Sequence, residues 1–144
     1  MSDAKKFAAI FDGLECAYGT FKIDSKKADG KNTGKARLLR EPRTTELWEG
    51  HLSGKGDSIG IIPINESNQC VWGCIDIDQY PLDHKRLIEK IDQIKLPLIV
   101  CRSKSGGAHC FIFTSEWVSA KLMQETLQHI SAGLGFGGSE VFPK

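Results

Sequence analysis

The apolar residues of this chain switch repeatedly between helical and alternating spacing, and those switches order its elements. Phe7, Ala8, Phe11 and Leu14 recur at helical intervals behind a cap at Ser2 or Asp3, so the chain opens on a short amphipathic helix. Residues 18–23 read as a strand. Residues 24–35, with Gly30 and Gly34 among lysines, read as a loop, and Pro42 breaks any structure begun at Lys35. Thr44 caps a second helix carrying Leu47, Trp48 and Leu52, which Gly54 ends. Ile59, Ile61, Ile62 and Ile64 mark a strand over residues 58–64, and a polar turn at 65–68 suggests a hairpin with the next strand, 71–78. Leu87, Ile88, Ile91 and Ile94 stripe a third helix, capped by Asp83 and stopped before Pro97. Strands over 98–102 and 108–113 follow, then a helix from about 116 to 133 whose stripe of Ala120, Met123, Leu127 and Ile130 reads as core. A glycine-rich turn leads to a last strand at Glu140. So many short, hairpin-like links do not suit a doubly wound sheet. They predict an α+β fold, a mixed and largely antiparallel sheet with helices on one face.

Composition narrows the setting. The 144 residues make one domain, 1–144, large enough for a real core. No apolar run approaches the roughly 18 residues of a membrane span, and the amino end lacks the apolar stretch of a signal peptide. The expectation is a cytoplasmic protein with no membrane partner. A net charge of +1 hides a local excess: Lys22, Lys26, Lys27, Lys31, Lys35, Arg37, Arg40 and Arg43 crowd one stretch against Asp24, Asp29 and Glu41. That patch suits a phosphate-bearing partner, and on charge alone a solvated lysine-rich loop fits as well. The five cysteines (Cys16, Cys70, Cys74, Cys101, Cys110) form no CxxC pair, and four fall in predicted strands. Reduced core thiols are the favoured reading over zinc or a disulfide framework.

The chemistry is concentrated in two segments. In the strand 71–78, Val71, Gly73, Ile75 and Ile77 share one face, suited to packing on helices, and Trp72, Cys74, Asp76 and Asp78 share the other. Two carboxylates aimed the same way repel unless a cation lies between them, and hard divalent cations favour oxygen ligands. Taken alone, such a pair is also a common strand ending. The second segment is Arg102, Ser103, Lys104, Ser105, Gly106, Gly107, Ala108 and His109. Small residues there let backbone amides and hydroxyls approach phosphate oxygens, while Arg102 and Lys104 add positive charge. Alone it is also an ordinary hairpin turn. Together, on neighbouring strands, the two segments point to handling of a nucleoside triphosphate with Mg²⁺ or Mn²⁺ bridging carboxylates and phosphates.

These motifs resemble the archaeo-eukaryotic primase superfamily, the primase-polymerases, whose members carry an acidic DxD or DxE strand, then an SxH-type element, then a third acid. Asp76-Ile77-Asp78 matches the first, and residues 103–109 look like a glycine-bearing form of the second. The likeness is to the primase domain of the mobile-element conflict systems called TOTE. It covers roughly residues 45–144 and includes the stretch from Leu52 to Lys55 and the carboxyl-terminal Glu140-Val141-Phe142-Pro143-Lys144. The resemblance implies a recognition-motif-like catalytic sheet beside a small amino-terminal α/β unit, and two-metal phosphoryl transfer to a 3′-hydroxyl on a DNA template. By the same likeness Asp76 and Asp78 hold the metals, with Glu140 in the third acidic position. His109 and Ser105 contact the incoming nucleotide. Lys55 and the basic stretch, including Lys35, Arg37 and Arg40, contact phosphates, and Tyr80 and Trp48 either stack on a base or sugar or pack as ordinary aromatics. Family members usually continue past the position of Lys144, so a domain shortened at its carboxyl end is expected, working with a helicase or further domain. The competing readings are a catalytically incomplete module that binds nucleotide or nucleic acid and, ranked last, a metal-dependent phosphodiester hydrolase.

Overall fold

The computed structural model describes residues 1–26 and 32–144, so Lys27 and Lys31 of the basic stretch lie outside the described residues. The chain forms two compact units, residues 1–66 and 67–144.

In the first unit, α1 (Asp3–Ile10) is capped by Ser2, whose hydroxyl accepts from the Lys5 amide. Strands β1 (Tyr18–Lys26) and β2 (Asn32–Leu39) form an antiparallel hairpin, α2 (Thr45–Ser53) follows, and β3 (Ser58–Gly60) pairs with the other edge of β1. Gly54 ends α2 with φ +68°, the left-handed conformation that glycine adopts most cheaply. Trp48 is buried against Phe7 and Phe11, with ring centroids 6.0 and 6.3 Å away, so it packs as core. Arg43 does not join a basic patch; it pairs with Asp12 at 2.8 Å.

Two expectations fail here. The stretch read as a loop over 24–35 is strand at both described ends, because backbone pairing of β1 with β2 overrides the lysine and glycine content. The strand at 58–64 stops at Gly60, beyond which the Ile62 carbonyl accepts from the Leu14 amide, and β3 makes no hairpin with the acidic strand.

The second unit is built as β4 (Gln69–Ile77), α3 (His84–Gln93), β5 (Ile99–Arg102), β6 (Ala108–Ser119), α4 (Ala120–Gly133) and β7 (Glu140–Phe142). Its sheet has the order β5-β6-β4-β7 with every neighbour antiparallel, the βαββαβ arrangement of ferredoxin-like folds. Both helices cover one face. Ile75, Ile77, Ala108, Cys110 and Val141 meet Leu87 and Ile91 of α3 and Met123 and Leu127 of α4 in a continuous core. The α+β expectation holds, with helices on one face of an antiparallel sheet. On α3 only Leu87 and Ile91 are buried, while Ile88 and Ile94 are exposed. Asp83 caps α3 by accepting from the Arg86 amide at 3.0 Å. Asp83→Ala should therefore cost about 1 kcal/mol of stability, read as a lower urea midpoint with an unchanged slope.

The fourth helix begins at Ala120 rather than near residue 116, because β6 continues through Val118, which pairs with Cys70, and Ser119 then caps the helix. Cys70, Cys74 and Cys110 are buried thiols as expected, and burial pushes Cys74 up to about 12 and Cys110 to about 11. Cys101 is exposed instead, because β5 is an edge strand and its side chain lies on the face away from the helices.

Candidate active site

The face of the second sheet that carries no helix holds the chemistry. Register puts Cys101, His109, Asp76 and Glu140 in one row across all four strands, Cys101 opposite His109, His109 opposite Asp76, and Asp76 opposite Glu140. Directly opposed residues project from the same face. The next row on that face is Ile99, Phe111, Cys74 and Phe142, so the polar row is backed by an apolar one. Phe111 meets the His109 ring edge-on at 6.0 Å and limits how it turns.

Asp76 is the most constrained group in the row. His109 Nε2 stands 3.4 Å from Asp76 Oδ1, yet that buried oxygen accepts no hydrogen bond. Burial raises the Asp76 carboxyl above the ordinary carboxylate range; His109 opposes this, and Asp78 and Glu140 add to it by repulsion. Glu140 is ion-paired with Lys144, whose ammonium also lies over the Phe142 ring at 5.2 Å.

Asp78 follows the end of β4 and is exposed. The Tyr80 hydroxyl donates to Asp78 Oδ1 at 2.8 Å and lies 2.6 Å from Ser105 Oγ, which in turn is 3.3 Å from Ser103 Oγ. A phenol has one proton to give, so with that proton on Asp78 the Ser105 hydroxyl donates to Tyr80. The result is a chain of hydroxyls that ties the glycine-serine turn to the second carboxylate. The turn is shaped from beneath. Gly106 adopts φ +98°, and the Ser103 amide donates to the Gly107 carbonyl at 3.0 Å. His84, at the start of α3, reaches the same carbonyl at 2.8 Å. Gly107 is packed so closely on β4 that a Cβ would lie 2.1 Å from the Ile77 carbonyl oxygen. Ser103 is buried, while Lys104 and Ser105 are exposed at the tip.

The structure thus brings Asp76, Asp78, His109, Glu140, Ser103, Ser105, Gly106 and Gly107 to one end of one sheet. Arg102 lies in register with Ala108, on the helix side, with its guanidinium beside Gly106. Lys35 and Arg37 lie on β2 and line a groove of the first unit with Lys22, whereas Arg40 and Lys55 are exposed outside it. Sequence reasoning does not find His84 as a member of the site, nor the tie that Tyr80 makes within it. No local motif marks either, because the turn residues they reach stand 23 and 25 residues away in the chain.

Residues 15–134 match the archaeo-eukaryotic primase domain of the TOTE conflict systems. The chain belongs to that family. The match reaches further toward the amino end than the motif likeness does, and it stops before Glu140. No curated protein matches the chain. A primase-family domain implies nucleotidyltransferase ancestry, with nucleoside triphosphate and nucleic acid as what it binds and divalent metal as what such domains generally use. The donor set fits that metal. Asp76 offers a buried oxygen without a hydrogen bond, and its charge is disfavoured by burial and by two neighbouring carboxylates, both of which a cation relieves. Among the described residues no three His, Cys, Asp or Glu groups cage an ion on their own. Mg²⁺ sites that handle nucleotides have this form, one or two carboxylates with the remaining positions filled by water and phosphate. No helix among the described residues is long and apolar enough to cross a membrane.

Proposed function

We propose that this primase-family domain adds nucleotides to a 3′-hydroxyl under the direction of a DNA template. The observation that carries the reading is the row of His109, Asp76 and Glu140 beside Asp78, with the glycine-serine turn tied to Asp78 through Tyr80. Asp76 and Asp78, with Glu140 opposite, would hold two divalent cations, Mg²⁺ or Mn²⁺, which supply charge neutralisation at the phosphates and a more acidic 3′-hydroxyl. His109 and the Ser105 hydroxyl contact the triphosphate of the incoming nucleotide. Lys104 and Arg102 add positive charge at the turn, where backbone amides approach closely because Gly106 and Gly107 have no side chains. Tyr80 acts as a positioning residue, holding the turn against the carboxylate. A DNA template and a nucleoside triphosphate are the substrates, and a helicase or further domain of the same replication or defence system is the expected partner.

The test is extension of a primed DNA template with labelled nucleotide in Mg²⁺ or Mn²⁺. Template-dependent incorporation is expected from the wild-type chain and none from Asp78→Ala. Incorporation that persists in Asp78→Ala overturns the assignment. Thermal unfolding gives a parallel readout, since a nucleotide with Mn²⁺ at about a hundred times its dissociation constant adds roughly 2.7 kcal/mol of stability. A shift without incorporation would mark a binding module instead.

A further inference from the structure

The sheet of the first unit carries a basic surface of its own. Pairing of β1 with β3 ends at Phe21 and Ser58, while β1 and β2 stay paired beyond it, so the hairpin runs on as a two-stranded ribbon. On one face of the hairpin Lys22 stands directly opposite Lys35, and Arg37, two residues along β2, stands opposite Thr20. Like charges directly opposed on an antiparallel pair are destabilising. All three cations are exposed, and no described carboxylate lies within ion-pair distance of any of them. They line a groove of about 290 Å³ whose other wall includes α2 and the turn after it. That wall is low where Gly50 and Gly56 approach each other so closely that a Cβ on Gly56 would lie 3.1 Å from the Gly50 Cα. Its acids are Glu46 and Asp57, and Glu46 is engaged by the amide and hydroxyl groups at the start of α2.

We propose that this groove binds the backbone of a single-stranded nucleic acid, with Lys22, Lys35 and Arg37 each meeting a phosphate. The layout favours a polynucleotide over a free triphosphate. Arg37 stands one i, i+2 step, about 6.8 Å, along the ribbon from the opposed Lys22 and Lys35, so the three charges do not converge on one point. A groove of this volume, walled on both sides, admits one strand and not a duplex. Backbone contacts of this kind give affinity without sequence preference, which is what a template track requires. The purpose of the track rests on the polymerising reading; the binding itself does not.

The experiment is fluorescence anisotropy of a labelled oligothymidine titrated with the full chain, without metal or nucleotide, over a series of salt concentrations. The triple variant Lys22→Gln, Lys35→Gln, Arg37→Gln is expected to bind at least about tenfold more weakly. Its log–log salt slope should be shallower by about two, since each phosphate left without its cation takes about 0.7 from the slope on a single strand. Its thermal unfolding temperature should not fall, because the opposed Lys22 and Lys35 charges are gone, so weakened binding is not unfolding. Lys121→Gln, on α4 of the other unit, should bind as wild type. Unchanged affinity and slope in the triple variant overturn the proposal, as does equal affinity for a duplex of the same length. Loss of Mn²⁺-nucleotide binding together with oligonucleotide binding also overturns it, by assigning the groove to the triphosphate. Asp78→Ala should bind the oligonucleotide normally even if it incorporates nothing, which separates this proposal's failure from that of the catalytic reading.

Discussion

Asp76→Asn should lower metal-dependent incorporation by at least about a hundredfold while leaving the protein no less stable than wild type at neutral pH. The activity half follows from position. Even outer partners of metal ligands cost about 10–100-fold when removed, so loss of a ligand itself, the role proposed for Asp76, should cost no less than the upper end. The stability half follows from the Asp76 carboxyl, which burial holds above the ordinary carboxylate range, assisted by Asp78 and Glu140 and opposed by His109. A carboxyl raised in the folded state favours folding while protonated, and that contribution is lost as pH rises through its folded value. At neutral pH the wild type therefore carries a cost that Asn does not, and the difference should vanish below the ordinary carboxylate range. Thermal unfolding of both proteins across pH, beside the incorporation assay, reads the two halves together. A strand-end aspartate of purely structural use predicts the reverse: incorporation retained and unfolding temperature lowered.

That combination also explains why this part of the site is legible in the sequence. A strand with helices on one face and a polar row on the other must alternate its side chains, and Gly73, Ile75 and Ile77 lie toward the helices while Trp72, Cys74 and Asp76 take the other face. The alternation fails at Val71, where an irregularity between Cys70 and Trp72 turns Cys70 toward the core. An inserted residue of this kind leaves no period to read. Glu140 can be named from its order along the chain, but only the antiparallel register of β4 and β7 sets it opposite Asp76. Strand β2 is hidden by its composition, since the lysine- and glycine-rich stretch up to Lys35 looks like loop until Lys22 is set across from Lys35. The roles of Tyr80 and His84 are out of reach for a different reason: each acts through a hydrogen bond to a turn on the far side of α3 in sequence, and no spacing rule links such positions.

Gly107→Ala should damage the site more than Gly106→Ala, although Gly106 has the less ordinary backbone. At Gly106, with φ +98°, a side chain is strained by about 1–2 kcal/mol, but the nearest atom to its Cβ, Arg102 Nη2, is 3.9 Å away and can move. At Gly107 the obstacle is the Ile77 carbonyl oxygen, 2.1 Å from where the Cβ would sit, and it belongs to the central strand one residue after Asp76. The turn must lift off β4. Lifting it strains the bonds that the Gly107 carbonyl accepts from Ser103 and shares with His84, and it draws Ser105 away from Tyr80. Overpacking of this kind typically costs about 1–3 kcal/mol of stability, seen as a lower urea midpoint. The kinetic cost should be larger, since a displacement of about 1 Å at a positioned group can cost about a hundredfold. With Tyr80 no longer holding the turn at Asp78, the loss should appear mainly as a raised KM for nucleotide, and the affinity for oligothymidine should stay unchanged. If Gly107→Ala incorporated nucleotide as wild type does, the turn would have no part in binding the triphosphate, and the carboxylates would act without it.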